Sequence, residues 1–266
     1  MSSDLMISYD LPIDAYHDSV GISKSGLDLI SKSPAHYNAS MSHRREPSLA
    51  FLIGNAVHTA VLEPEEFNNR YVMLDVDFRT KEGKQAKAEA QETGREILNS
   101  QQYADVIGMR NAIMAHGNAK NLLQNGDPEV SCLEEIDGVQ VRARADWLRR
   151  DNIIVDLKTT QDASPEEFAS SMAKFNYHRQ AAWYKHLFGK AGMEIDDFIF
   201  VCVEKVEPYA VAVYRLSDED IEQGLRECLS LFDIYRECLL NNEWPAYPDI
   251  IQTLSLPRWK KPYETR

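Results

Sequence analysis

Ile153-Ile154-Val155-Asp156-Leu157-Lys158-Thr159-Thr160 reads as an apolar strand that ends with a carboxylate and an ammonium two residues apart. Successive strand residues point to opposite faces, so Asp156 and Lys158 share one face while Val155 and Leu157 share the other. An acid and a base therefore emerge side by side. Such a pair can hold a divalent cation and polarise a water.

The preceding sequence supplies two more strands and a register. Asp137-Gly138 is a two-residue hairpin signal that pairs Ile136 with Val139. Counting outward sets Glu129 opposite Asp146, and a second turn centred on Asp151, within Arg150-Asp151-Asn152, sets Asp146 opposite Asp156. Directly opposed residues bring their Cβ atoms to roughly 4.5–5.5 Å. The count predicts a row of Glu129, Asp146 and Asp156 with Lys158 beside it, and places Glu134 and Glu135 away from Asp146. The other face, with Val139, Val141, Ala143, Ala145, Trp147, Ile153, Val155 and Leu157, is the predicted core face.

Three carboxylates in a row are electrostatically unfavourable unless a cation fills the site. The plain alternative is three independent surface acids, and one β-bulge would break the count. Hard oxygen ligands suit Mg²⁺ or Mn²⁺, which keep several waters and take further ligands from substrate phosphates. Phosphodiester hydrolysis is the matching chemistry. A metal lowers the pKa of a bound water, and Lys158 positions that water or offsets the developing charge.

The rest of the chain predicts an α/β fold with an antiparallel start. Helices are expected from Ser23 or Ser25 through Ile30, from Pro34, over 49–62, 80–98 and 102–116, near 164–172 and 176–188, and over 218–240. Strands are expected near 129–136, 139–149, 152–158, 197–205 and 209–215. Residues 80–98, rich in Lys, Glu, Ala and Gln, read as a solvated helix or, alternatively, an arch over a ligand. No repeat or long Gly/Ser linker interrupts the chain. One domain is expected, with a mainly helical part over 1–125, a sheet core over 126–245 and a tail over 246–266.

A chain of 266 residues can bury a core without disulfide or metal staples. It has no long apolar run, and Met1-Ser2-Ser3-Asp4 lacks the features of a signal peptide, so no membrane span and a cytoplasmic location are expected. Cys132, Cys202, Cys228 and Cys238 form no CxxC pair and are predicted to be buried thiols. The net charge of -13 argues against a protein that coats nucleic acid indiscriminately. Positive charge nevertheless gathers around Asp156, as Arg142, Arg144, Arg149 and Arg150 before it and Lys174, His178 and Arg179 after it. These are solvated faces or a local phosphate track.

Asp146, nine intervening residues and then Asp156-Leu157-Lys158 resemble the PD-(D/E)xK nuclease signature, with Ala145 in place of the proline and Asp in place of the commoner Glu. Gly54-Asn55-Ala56-Val57-His58 resembles the GxxxH element of the RecB-like nucleases, and Gln180-Ala181-Ala182-Trp183-Tyr184 their QxxxY element. Ile22-Ser23-Lys24-Ser25-Gly26-Leu27 with Ser33-Pro34-Ala35-His36-Tyr37 is similar to the opening SxS…CP segment of that superfamily. From about Tyr16 to Trp259 the chain resembles the nuclease domain of the exonuclease VIII, or RecE-type, family without its long N-terminal extension, as an excised domain or a compact phage-type version.

The resemblance implies a PD-(D/E)xK core, a central mixed sheet flanked by helices, with an added helical N-terminal part. It implies a metal-dependent 5′→3′ exonuclease that acts on linear double-stranded DNA and leaves 3′ overhangs for recombination by strand annealing. A ring-shaped homo-oligomer and a single-strand annealing recombinase as partner come with it. Carried onto this chain, the metal ligands are His58, Asp146, Asp156 and the Leu157 carbonyl, with Glu129 as a further candidate. Imidazole suits Mn²⁺ better than Mg²⁺. A satisfied core histidine is the alternative for His58, given Phe51, Leu52, Ile53, Val57 and Val61 around it.

Some relatives use a cysteine before the proline as an iron–sulfur ligand; Ser33 stands there, so no iron–sulfur cluster is expected. Gln180 and Tyr184 share one helix face and can reach one phosphate or order the lysine, or can simply pack with Tyr177 and Phe188. Ser23 and Ser25 are helix caps or phosphate ligands. Arg142, Arg144 and Arg179 are candidates for positioning DNA, and Trp259 with Lys260 and Lys261 for a docking tail. A structure-specific endonuclease and a non-catalytic DNA-end-binding scaffold are the alternative functions.

Overall fold

The computed structural model describes residues 7–42 and 48–256. Trp259, Lys260 and Lys261 lie outside the described residues. The chain begins β1 (Ile7–Ser8), α1 (Ile13–Asp18), α2 (Lys24–Lys32), α3 (Pro34–Ser42), α4 (Leu49–Leu62), α5 (Phe67–Arg70) and β2 (Tyr71–Met73). It continues α6 (Lys81–Glu92), β3 (Glu96–Leu98), α7 (Ser100–Ala115), α8 (Gly117–Leu122), β4 (Gly126–Ile136), β5 (Val139–Arg149) and β6 (Ile153–Thr160). It closes with α9 (Pro165–Phe175), α10 (Tyr177–Lys190), β7 (Asp197–Glu204), β8 (Val211–Arg215) and α11 (Asp218–Asn241).

Six strands form one mixed sheet in the order β1-β4-β5-β6-β7-β8. Among the described residues of this sheet, only β6 and β7 pair as parallel strands, along all eight residues of each. Parallel neighbours need a crossover connection, and α9 and α10 supply it. The β4–β5 hairpin turns at Asp137-Gly138, both at positive φ (50° and 78°), as a two-residue primed turn requires, and Ile136 pairs with Val139.

Both faces of the sheet are buried. Against one, α10 and α11 pack Trp183, Leu187, Phe188 and Phe232 onto Val130, Ile154, Phe198 and Phe200. Against the other, α4 and α7 pack Ala56, Val57, Val106 and Met109 onto Val155, Leu157, Val201 and Val203. Helix α4 begins where Ser48 accepts a hydrogen bond from the Phe51 amide. It ends before Glu63-Pro64, because a residue preceding proline avoids helical geometry.

The single predicted core face is corrected. Val141, Ala143 and Ala145 pack in the first cluster, whereas Trp147, Ile153, Val155 and Leu157 pack in the second. The alternation changes phase at Asp146, opposite Glu129, whose backbone is left-handed at φ 55°. The pairing count survives, since Val130↔Ala145 and Pro128↔Trp147 bracket the distorted position. Strands β5 and β6 pair only at Trp147↔Val155 and Leu148↔Ile154. Asp146 and Asp156 are opposite by that count, yet they stand where the two strands have parted.

The expected helix over 80–98 also divides. It stops at Glu92, Gly94 takes φ 67°, and β3 then pairs parallel with β2. Three residues are too few for a period to register in sequence. All four cysteines are buried and free.

Phe200 is fully buried and its ring meets those of Phe168, Tyr177 and Phe198 at 5.8, 5.7 and 5.0 Å. Phe200→Ala is expected to cost about 3–5 kcal/mol. Guanidinium unfolding measures it; a loss under about 1 kcal/mol would show that this cluster does not set the stability of the core.

Candidate active site

Five elements converge on a cleft of about 920 Å³: α4 contributes His58, β4 Glu129, β5 Asp146, β6 Lys158, and α10 Gln180 and Tyr184. The cleft opens where β5 and β6 part. There the Leu157 amide donates to Asp146 Oδ2 at 2.9 Å. His58 Nε2 lies 2.7 Å from the Leu157 carbonyl. A carbonyl only accepts, so Nε2 carries the proton and Nδ1 turns a lone pair toward Asp146 Oδ2, 3.6 Å away.

One donor atom each from His58, Glu129 and Asp146 lies within 4.8 Å of the others. Two carboxylates and an imidazole at that spacing can hold a divalent cation. The electrostatics agree. Burial, with the Asp156 charge next in weight, pushes the Asp146 carboxyl up to about 8. Burial and Asp146 raise that of Glu129, against Arg144. Burial lowers the His58 pKa. Burial thus disfavours the ionised form of each of the three groups, although Arg144 partly offsets this at Glu129.

Asp156 stands outside this trio, a departure from the predicted carboxylate row. It is fully buried, with Oδ1 2.5 Å from Lys158 Nζ and Oδ2 accepting from Gln180 Nε2 at 2.6 Å. Strand alternation turns Asp156 to the α10 side of the sheet, opposite to Val155 and Leu157, and β5 and β6 no longer pair there. Burial works against the Lys158 charge, but Asp156 and Asp146 outweigh it and raise its pKa. Both carboxylates therefore favour the charged form of Lys158. Its ammonium also sits 4.9 Å from the centre of the Tyr177 ring.

The arginines are more committed than their sequence suggests. Arg144 holds Glu129 at 2.7 Å and also reaches the Leu11 carbonyl and Ser131. Arg142 donates to the carbonyls of Tyr16, His17 and Ser19. Both line the cleft, as do Ser23 and Ser25; Arg179 is turned away into pairs with Glu227 and Asp28. Ser23 caps α2 by accepting from the Gly26 amide at 3.4 Å. The Leu157 carbonyl is engaged by His58. Ser33 is buried, its hydroxyl 2.6 Å from His36 Nδ1. One cleft feature escaped the sequence, Arg70 paired with Glu63, and the sequence did not show that Tyr177 meets Lys158. Tyr177 lies three residues before Gln180, a spacing that could have flagged it.

A two-sided mixed sheet with this acid–lysine arrangement at parted strands defines a PD-(D/E)xK-type core. Residues 23–257 match DUF3799, a PDDEXK-like domain of unknown function, and the chain belongs to that family. A solved structure from Eubacterium rectale, described as a "putative exonuclease", is 15% identical over 94% of this chain and 96% of its own, with a TM-score of 0.66. A phage-related exonuclease from Haemophilus somnus 129PT is 13% identical over 85% of this chain and 98% of its own, with a TM-score of 0.37. The first shares the fold; the second adds nothing to that assignment. No curated protein matches the chain.

Mn²⁺ titration of the protein is expected to show at least about tenfold weaker binding in His58→Ala and Glu129→Ala. Binding should strengthen as pH rises to about 8 and then level off, because the cation displaces a proton from Asp146. Unchanged affinity in both variants would remove this trio as the metal site. A second outcome concerns the metal-free protein. The folded-state pKa of Asp146 lies above its ordinary 3.8, so its favourable contribution is full below that value and is lost as pH rises through about 8. Asp146→Asn should remove that loss, leaving the variant the more stable at pH 9 in thermal unfolding; equal pH dependence in both proteins counts against the shift.

Proposed function

We propose that this chain is a metal-dependent exodeoxyribonuclease that digests one strand of linear duplex DNA from its 5′ end. The observation that carries the nuclease reading is the convergence of His58, Glu129 and Asp146 within 4.8 Å, beside the Lys158–Asp156 pair. When bound, Mg²⁺ or Mn²⁺ supplies Lewis acidity toward the scissile phosphate and an acidified water. His58, Glu129 and Asp146 are the residues to hold it.

The protein's own groups divide the remaining work. Gln180 fixes one oxygen of Asp156, and Asp156 fixes the Lys158 ammonium at the cleft wall. Lys158, whose charged form Asp156 and Asp146 favour, offsets the negative charge that develops on the phosphate as water attacks. Polarity, duplex preference, the 3′ overhang, the recombination role, the ring-shaped oligomer and the annealing recombinase come from the RecE-type resemblance, which the family membership supports in its fold.

The test uses 5′-labelled linear duplex, covalently closed circular duplex and single strands with each metal in turn. Labelled mononucleotide should leave the linear duplex, with Mn²⁺ at least as effective as Mg²⁺. Asp156→Ala or Lys158→Ala should each cut the rate by about a hundredfold or more. Cleavage of closed circles would replace the exonuclease with a structure-specific endonuclease. No hydrolysis of any substrate would leave a DNA-end-binding scaffold.

A further inference from the structure

The cations that line the catalytic cleft are engaged within the protein. Arg70 holds both oxygens of Glu63, Arg144 holds Glu129, Lys24 holds Asp28 at 2.8 Å and Lys158 holds Asp156. Arg142 donates to the carbonyls of Tyr16 and Ser19. A polynucleotide nevertheless brings one negative charge per phosphate to a chain whose net charge is -13. Unengaged cations outside the cleft therefore decide where its backbone can lie.

Helix α6 carries such cations. Lys81, Lys84 and Lys87 recur every three residues and so share one face. All three are exposed, and among the described residues none has an ion pair or a side-chain hydrogen bond. Within α6, no position three or four residues from these lysines carries a carboxylate. Glu82 and Glu89 stand on a different face, where Glu89 accepts from Gln85 at 3.2 Å. Like charges at neighbouring positions weaken a helix, and an external anion relieves them.

The row is held in place by the fold. Gly83 and Ala90 are buried, and a Cβ on Gly83 would lie 2.2 Å from the Asp77 carbonyl oxygen. Thr80 accepts from the Gly83 amide at 3.0 Å, and its own amide and hydroxyl both donate to that Asp77 carbonyl. Strand β2 leads into this turn from Tyr71, a cleft residue. The ten residues from Tyr71 to Lys81 span at most about 35 Å, the length of about ten base pairs. From Lys81 to Lys87 the helix rises about 9 Å, which covers about three phosphates of one strand at roughly 3.4 Å each.

We propose that the lysine row of α6 is a clamp for duplex DNA, binding the phosphate backbone of one strand outside the catalytic cleft. Its part in digestion rests on the proposed exonuclease function. Phosphate contacts position a duplex and carry no sequence information. The row therefore holds any duplex while successive nucleotides leave its end.

The test reads binding without hydrolysis. Full-length, metal-free protein is titrated with a blunt duplex of about 30 base pairs over a range of salt concentrations. Lys81→Gln/Lys84→Gln/Lys87→Gln should weaken binding about tenfold near about 0.1 M salt and lower the salt-dependence exponent by about 2 to 3, each single change by about 1. Glutamine keeps the helix propensity and all three positions are exposed, so the melting temperature and Mn²⁺ affinity should not move. Lys32→Gln/Lys120→Gln/Lys190→Gln removes the same charge from exposed positions elsewhere and should leave the exponent unchanged. An unchanged exponent in the α6 variant, or an equal fall in the control, would overturn the clamp even if the protein digests DNA. A fall in the α6 variant alone, in a protein that hydrolyses nothing, would keep the clamp and discard the exonuclease.

Discussion

The Leu157 amide donates to a carboxylate on β5 where a continuing ladder would offer it a backbone carbonyl, and the cleft exists because of that substitution. An unpaired amide in a sheet interior is costly. Asp146 satisfies it and holds the two strands apart after only two paired positions. At the opening His58 reaches the Leu157 carbonyl from α4, while Asp156 bonds Gln180 of α10 on the other face. Fold and site therefore share one hydrogen bond. The opposite flank does not yield, since β6 and β7 remain paired over their full length.

Burial does two different things on the two sides of that opening. On the Glu129–Asp146–His58 side it disfavours ionised carboxylates and a charged imidazole together, leaving a site whose electrostatic debt a divalent cation removes. On the Asp156–Lys158 side opposite charges meet directly, and the carboxylates raise the lysine pKa. In the first half Arg144 pairs with Glu129 but, among the described residues, Asp146 has no cation at contact distance; in the second the charges are paired. That division underlies the roles proposed above, cation binding for the first and charge stabilisation for the second.

Much of this was legible in the chain because short-range rules governed it. Asp137-Gly138 has its turn chemistry in two residues, and the register from Ile136↔Val139 outward follows from counting. Lys158 and Asp156 are neighbours by strand periodicity alone. What the sequence did not disclose depends on long-range or non-ideal geometry. The left-handed backbone at Glu129 switches which side chains face which core, and no residue type announces it there. Arg144 looked available to phosphate until its pairing with Glu129 appeared. Asp156 left the predicted row because strands that are in register need not stay in contact. His58 was found through its motif, and the structure places it in the cleft wall, bonded to the Leu157 carbonyl.

The parallel pairing of β6 with β7 also bears on biosynthesis. Asp156 and Lys158 ride on a strand whose full-length neighbour ends at Glu204, and that neighbour is separated from β6 by the entire α9–α10 crossover. Contacts that distant in sequence form late, after the loop between them has closed. While a ribosome is still delivering residues short of β7, the His58 helix and the β4–β5 hairpin can already exist, but the lysine strand has only its two-residue pairing with β5 to hold it. Hydrolytic competence is thus withheld from the nascent chain until most of the sheet has emerged.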